Sequence, residues 1–113
     1  MQKSVPQGQY VTLWEFHVLP GFEEQFERVY GSGGDWAQLF RKGEGYIRTE
    51  LYRDLKNRRR YVTVDVWESE LSHREFLEGH ADEYRAMDKR CEEMTKEETP
   101  LGQYETVTTE SDT

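Results

Sequence analysis

The sequence has a single cysteine, only three prolines and no long apolar run. One cysteine, Cys91, cannot form an intramolecular disulfide, and we interpret it as a small buried hydrophobic residue. Without an apolar run of about 18 residues, no membrane span and no membrane partner are expected. No basic segment followed by an apolar one opens the chain, so we also expect no signal peptide and a cytoplasmic location.

Basic residues are scarce relative to acidic ones. The 113 residues include 15 Lys and Arg against 23 Asp and Glu, which gives a formal net charge of −8. This charge repels phosphate backbones, so no nucleic-acid partner is expected. The length fits one domain, which we place at residues 9–108, between a polar N-terminal segment, 1–8, and a flexible tail, 109–113.

Periodicity and turn residues predict six elements. β-Branched and aromatic residues predict a first strand over Gln9–Val18. Helical spacing then predicts a helix that is broken by the glycines at 31–34 and resumes over 36–41, with Asp35 as its N-cap. Alternating residues predict a hairpin of two strands, 46–54 and 58–67. Ser69 should cap one long helix over 70–94, and a last short strand is expected at 103–108.

The order β-α-β-β-α-β indicates an α+β fold of the ferredoxin-like type, in which both helices cover one face of an antiparallel sheet. In the third strand, valines form one side, whereas the other side carries two large aromatic residues, Tyr61 and Trp67. Because neither side is typical of a solvated surface, we expect a homodimer that forms through the uncovered sheet face. Asp65, an acid within a strand, is expected to pair with Arg48 or another base.

Three segments resemble one known family. They are Phe16–Phe26, Gly45–Asp54 and Val64–Ser69, and the last leads into a helix that contains His80 and Tyr84. Over about residues 9–108 the chain is similar to the antibiotic biosynthesis monooxygenase family. The resemblance implies a dimeric α/β barrel and a monooxygenase that needs no cofactor. It further implies a small-molecule substrate, an activated aromatic phenol or carbon acid, held in an aromatic cleft between sheet and helices.

Candidate site residues follow from chemistry and from this resemblance. The candidate catalytic residues are His80, on the apolar stripe of the long helix, and His17 and Glu15, which share one face of the first strand. Imidazole titrates near neutrality, and a neighbouring carboxylate can orient it. Trp67 matches a tryptophan that recurs at the end of the third strand in the family. The candidate substrate-binding residues are Trp67, Tyr84, Tyr46, Tyr52 and Trp14. His73 and His80 are separated by about 10 Å of helical rise, so no metal site is expected.

Other interpretations stay open at this point. The chain could be a non-catalytic dimeric module that binds a small molecule or has a structural role. It could also bind and degrade haem, since haem-degrading members use a strand-one asparagine, the tryptophan and a helix histidine; here Glu15 stands at the first of these positions and His80 could be the last. His80 and Trp67 could equally be core residues. Alternation puts Trp67 opposite the valines of its strand, which leaves open whether it faces the helices or the dimer interface.

Overall fold

The computed structural model describes residues 8–109, so most of the predicted N-terminal segment and tail lies outside the described residues. This part of the chain contains four strands and four helices, with a 3-10 turn at Glu92–Met94. The strands are β1 (Tyr10–Val18), β2 (Tyr46–Arg53), β3 (Arg60–Trp67) and β4 (Thr95–Glu105), and the helices are α1 (Glu23–Tyr30), α2 (Asp35–Phe40), α3 (Glu70–Gly79) and α4 (Ala81–Cys91). The sheet is antiparallel with the order β2-β3-β1-β4. The predicted ferredoxin-like order is confirmed.

Local chemistry explains several element boundaries. The Asp54 carboxylate accepts hydrogen bonds from the backbone N–H groups of Lys56 and Asn57, at 2.7 and 2.9 Å, and so fixes the turn of the β2–β3 hairpin. The Ser69 hydroxyl accepts from Ser72 N–H at 3.0 Å, which confirms the predicted helix cap. A Cβ on Gly34 would stand 2.3 Å from a backbone oxygen, so position 34, between α1 and α2, accepts only glycine.

Three sequence-based boundaries are wrong. The predicted helix over 70–94 is two helices, because His80 leaves helical geometry (φ −128°, ψ 32°) and serves as the C-cap of α3 and the N-cap of α4. The last strand begins at Thr95 rather than at 103, because β4 is an edge strand held to β1 mainly through its backbone and its exposed polar side chains show no alternation. Gly34 is the N-cap of α2, and Asp35 is its first residue.

The core lies between the helices and one face of the sheet. Alternate residues of β1 and β3 point to the helices, where Phe16 and Tyr61 pack on Phe26 and where Trp67 packs on Phe40 and Phe76. Trp67 therefore faces the helices. The opposite face carries Val62 and Val64 beside Leu13 and Glu15. Among the described residues, no helix is long and apolar enough to cross a membrane.

Candidate active site

A cleft of about 280 Å³ lies between the helices and the inner face of the sheet, beside the packed core. This volume is close to the lower limit of small-molecule sites, about 300–1,000 Å³. Its floor comes from β1, β2 and β3, and its walls come from the helices and the edge strand β4. Aromatic side chains supply most of its apolar surface: Tyr10, Trp14, Phe16, Tyr30, Trp36, Phe40 and Tyr84.

A single carboxyl group, that of Asp65, stands on the cleft floor. Its neighbours across the sheet are Thr12 on β1 and Thr49 on β2. The Thr49 hydroxyl donates to Asp65 Oδ1 at 2.6 Å, and the Tyr46 hydroxyl lies 2.7 Å from the same Thr49 oxygen. Burial raises the pKa of Asp65 to about 6, although the hydrogen bond from Thr49 acts in the opposite direction. The floor thus holds a carboxyl group that titrates near neutrality.

The expected partner of Asp65 lies elsewhere. Arg48 is exposed on the other face of the sheet, where its Nε lies 3.4 Å from Glu50 Oε2. A bulge between Tyr46 and Arg48 sets the register so that Thr49, and not Arg48, is opposite Asp65. The predicted Asp65–Arg48 pair is therefore wrong, and a neutral hydroxyl takes the place of the base.

The remaining polar groups of the cleft come from its floor, from α3 and from its rim, where α4 contributes Asp88 and β4 contributes Glu98 and Gln103. Thr12, Thr49 and Thr63 are buried hydroxyl-bearing residues of the floor. Burial lowers the pKa of His73 on α3, so its imidazole is neutral at pH 7. At the rim, Thr95 donates to Glu98 Oε2 at 3.1 Å, and burial raises the pKa of Glu98.

Two of the predicted substrate-binding residues line the cleft. Trp14 projects from β1 and stacks with Phe16 at a centroid distance of 6.4 Å. Tyr84 projects from α4 and meets the Trp36 ring edge-on at 5.1 Å. Burial is the main cause of the raised pKa of Tyr84, so its hydroxyl stays protonated and can donate a hydrogen bond. A third, Tyr46, does not line the cleft, but its hydroxyl is hydrogen-bonded to Thr49, which does.

Trp67 lies behind the cleft and does not line it. It has no exposed surface, and the rings of Phe40, Tyr46, His73 and Phe76 surround it at centroid distances of 5.2–5.7 Å. Within residues 8–109 its indole N–H has no hydrogen-bond partner. Trp67 is therefore a core residue, and its ring packs against the ring of His73, which lines the cleft.

The predicted catalytic and binding residues His80 and Tyr52 also lie outside the cleft. The His80 ring stacks on Phe76 at 5.1 Å, and its Nδ1 lies 2.8 Å from Glu83 Oε1. This pair lies at the junction between α3 and α4, where His80 is the cap residue of both helices. Tyr52 is 53% exposed and belongs to the opposite face of the sheet.

Glu15 and His17, the other predicted catalytic residues, lie outside the cleft and form an ionic cluster on that opposite face. His17 Nε2 lies 2.8 Å from Glu15 Oε2, and the Arg60 guanidinium donates to both Glu15 oxygens at 2.9 and 3.1 Å. The Arg60 hydrogen bond, and then that of His17, lower the pKa of Glu15. The sheet separates Glu15 from Trp67 and His80, so the residues that the haem hypothesis needs do not converge. No group of three or more potential metal ligands is found within residues 8–109.

Sequence reasoning did not select Asp65 as a site residue. The signal was an acidic residue inside a strand, where aspartate is disfavoured. The residues around it, Thr12, Thr49 and Thr63, carried no signal, because threonine is common in strands. Only the register of three strands shows that these side chains share one face.

Comparisons with known proteins agree with this architecture. The sequence model of the family "Antibiotic biosynthesis monooxygenase" matches residues 10–90. No curated protein matches the chain significantly. The solved structure of SnoaB, a cofactor-independent oxygenase from Streptomyces nogalater, is 20% identical, with 90% of this chain and 96% of that chain covered and a TM-score of 0.71. A Bordetella bronchiseptica protein provisionally assigned as an antibiotic biosynthesis monooxygenase is 25% identical, with 90% and 100% covered and a TM-score of 0.68.

Proposed function

Because the chain belongs to the antibiotic biosynthesis monooxygenase family, we propose that it oxidises an activated aromatic molecule with O₂ in the helix–sheet cleft, without a cofactor. The observation that carries this proposal is Asp65, a carboxyl group that titrates near pH 6 on the floor of an aromatic cleft. SnoaB, which shares the fold, is a cofactor-independent oxygenase, and this supports the same class of reaction here.

Asp65 has the properties of a general base. At pH 7 a carboxyl group with a pKa of about 6 is mostly ionised, yet it is a stronger base than a solvated aspartate. Its single protein donor, the Thr49 hydroxyl, leaves Oδ2 without a hydrogen bond from any described residue. A substrate C–H or phenolic O–H group that enters the cleft can therefore meet a free carboxylate oxygen.

The reaction balances with O₂ as the only co-reactant. Asp65 removes a proton from an activated methylene carbon, and the resulting carbanion is oxidised by O₂. One oxygen atom becomes the new carbonyl oxygen; the other leaves as water with the two hydrogens of the methylene group. The apolar walls exclude bulk water and so favour attack of O₂ on the carbanion over other reactions of this intermediate.

Hydroxyl groups in the cleft can stabilise the developing enolate. Thr12 and Thr63 lie on the same floor as Asp65, and Tyr84 faces them from α4. Oriented donors of this kind stabilise an oxyanion most strongly where water is excluded. His73, which is neutral, can add a further N–H donor.

We also propose that the chain is a homodimer through the sheet face that the helices leave uncovered. That face carries apolar side chains, Leu13, Val62 and Val64, next to the charged cluster of Glu15, His17 and Arg60. A second copy that covers the valines would remove their apolar surface from water.

Oxygen uptake tests the proposed activity. Anthrone, a polycyclic carbon acid with one activated methylene group, is the substrate, and its uncatalysed oxidation is subtracted. We expect the wild type and Glu75→Gln, which removes an exposed carboxylate on α3, to consume O₂ equally, whereas Asp65→Asn is at least about 100-fold slower. If anthrone raises the melting temperature but no O₂ is consumed, the non-catalytic binding module replaces this proposal.

A further inference from the structure

Among the described residues, those that line the cleft include three acidic side chains and one histidine as the only basic side chain. Asp65 on the floor and Asp88 and Glu98 at the rim line it, whereas no lysine or arginine of residues 8–109 does. Within residues 8–109, none of these three carboxylates forms an ion pair. This contrasts with the outer face of the sheet, where Glu15 is held by Arg60 and His17.

The potential inside the cleft is therefore negative at neutral pH. The one imidazole among the lining residues, His73, is neutral because burial lowers its pKa. Tyr84 lies within the field of all three carboxylates: besides burial, the charges of Asp88, Asp65 and Glu98 each raise its pKa. Walls of low dielectric strengthen such a field, so an anion that enters the cleft is repelled.

Aromatic side chains line the same cleft as these carboxylates. Trp36 and Tyr84 contact each other edge-on, and Trp14 and Phe16 stack on the other side of the cleft. The faces of aromatic rings attract cations, and tryptophan does so most strongly. Aromatic faces and carboxylates without an ion-pair partner attract an ammonium group. They repel a carboxylate or phosphate group.

We infer that the cleft selects a cationic aromatic ligand, a flat phenol or carbon acid that carries an ammonium group. This inference rests on the proposed function, because the ligand occupies the cleft in which Asp65 acts. The ammonium group binds at the rim between Glu98, Asp88 and the aromatic faces, and the acidic C–H or O–H group is directed to the floor. Neutral analogues bind more weakly, and anionic analogues bind least.

Three naphthols that differ in one substituent test the selection. The probes are 6-(aminomethyl)-2-naphthol, 6-(hydroxymethyl)-2-naphthol and 6-hydroxy-2-naphthoate, and binding to the wild-type protein is measured by calorimetry at pH 7. We expect the ammonium compound to bind about tenfold more tightly than the alcohol. The naphthoate should bind more weakly than the alcohol. Equal affinities for the ammonium compound and the alcohol, or tighter binding of the naphthoate, would overturn the inference.

Charge-neutral variants of the rim locate the effect. In Glu98→Gln and in the double variant with Asp88→Asn, we expect the affinity advantage of the ammonium compound over the alcohol to shrink severalfold. Glu75→Gln removes the same charge from the exposed surface of α3 and should leave all three affinities unchanged. An equal loss in Glu75→Gln would show that net charge, and not the cleft, selects the cation.

Binding and turnover separate the two proposals. Selection of the ammonium compound by a protein that consumes no O₂ with it or with anthrone supports the ligand class and contradicts the oxygenase function. Oxidation of anthrone that depends on Asp65, without any preference for the ammonium compound, supports the function and contradicts the ligand class.

Discussion

The Thr49 hydroxyl donates a hydrogen bond of 2.6 Å to Asp65 Oδ1 from the neighbouring strand. Since this bond stabilises the carboxylate, it limits how far burial raises the pKa of Asp65. Thr49 is in turn held by the Tyr46 hydroxyl at 2.7 Å. The three residues link the core to the cleft floor, and the Thr49 hydrogen bond offsets part of the effect of burial on the pKa of Asp65.

Replacing Thr49 by valine should shift the pH dependence of oxidation. The variant keeps the shape of the side chain but removes the donor, so the pKa of Asp65 rises further above 6 and the rate should reach its half-maximum at a higher pH. The pH–rate profile of anthrone oxidation measures this. Tyr46→Phe, which leaves the Thr49–Asp65 bond in place, should shift the profile less. An unchanged midpoint in Thr49→Val would assign the titration to another group.

Asp65 should reduce stability as the pH rises. Its pKa is raised from 3.8 to about 6, so the folded state favours the protonated form. The contribution of this group to the free energy of unfolding is fully present below about pH 4 and is lost as the pH rises through 6. The total loss is about 3 kcal/mol. Urea unfolding should therefore show that Asp65→Asn gains stability relative to the wild type between pH 4 and pH 7. A constant difference across this range would mean that Asp65 is solvated.

A charge on the uncovered sheet face should dissociate the proposed dimer. Val64 lies at the centre of this face, opposite Leu13 and Glu50. Burying a glutamate there without a partner should weaken association at least about 100-fold, as measured by sedimentation of Val64→Glu. Val107→Glu places the same charge at a position that is 86% exposed and should not change the assembly. A wild-type protein that sediments as a monomer would contradict the dimer.

Trp67 should contribute to stability more than to binding. It is fully buried behind His73, and its truncation to alanine should lower the free energy of unfolding by about 3–5 kcal/mol. Trp67→Phe loses no hydrogen bond that the described residues provide to the indole N–H, so it should fold and oxidise anthrone at nearly the wild-type rate. A folded Trp67→Phe protein without activity would show instead that the indole acts on the substrate.

The sequence predicted the elements that have a strong local pattern. The hairpin and the Ser69 cap follow from turn and capping residues that act over three or four positions, and both are present. The break at His80 and the full length of β4 were not predicted. The first depends on one backbone conformation inside a periodic helix, and the second depends on pairing with β1, which no local pattern reports.

The site was harder to predict than the fold because it depends on register. Moving a strand by one residue exchanges its two faces. With the bulge at Tyr46 and Arg48, Thr49 is the residue opposite Asp65, and Arg48 points away from the cleft. The same alternation puts Glu15 and His17 on the outer face, although their spacing alone is equally consistent with a cleft.

Proton exchange without oxygen tests the central claim most directly, because it isolates the step assigned to Asp65. Anthrone is incubated anaerobically in D₂O buffer at pD 7 with each protein, and deuterium at its methylene carbon is followed by NMR. The wild type and Glu75→Gln should accelerate the exchange well above that in buffer, and Asp65→Asn should not. Exchange by Asp65→Asn at the wild-type rate, or no acceleration by the wild type, would contradict a base at Asp65.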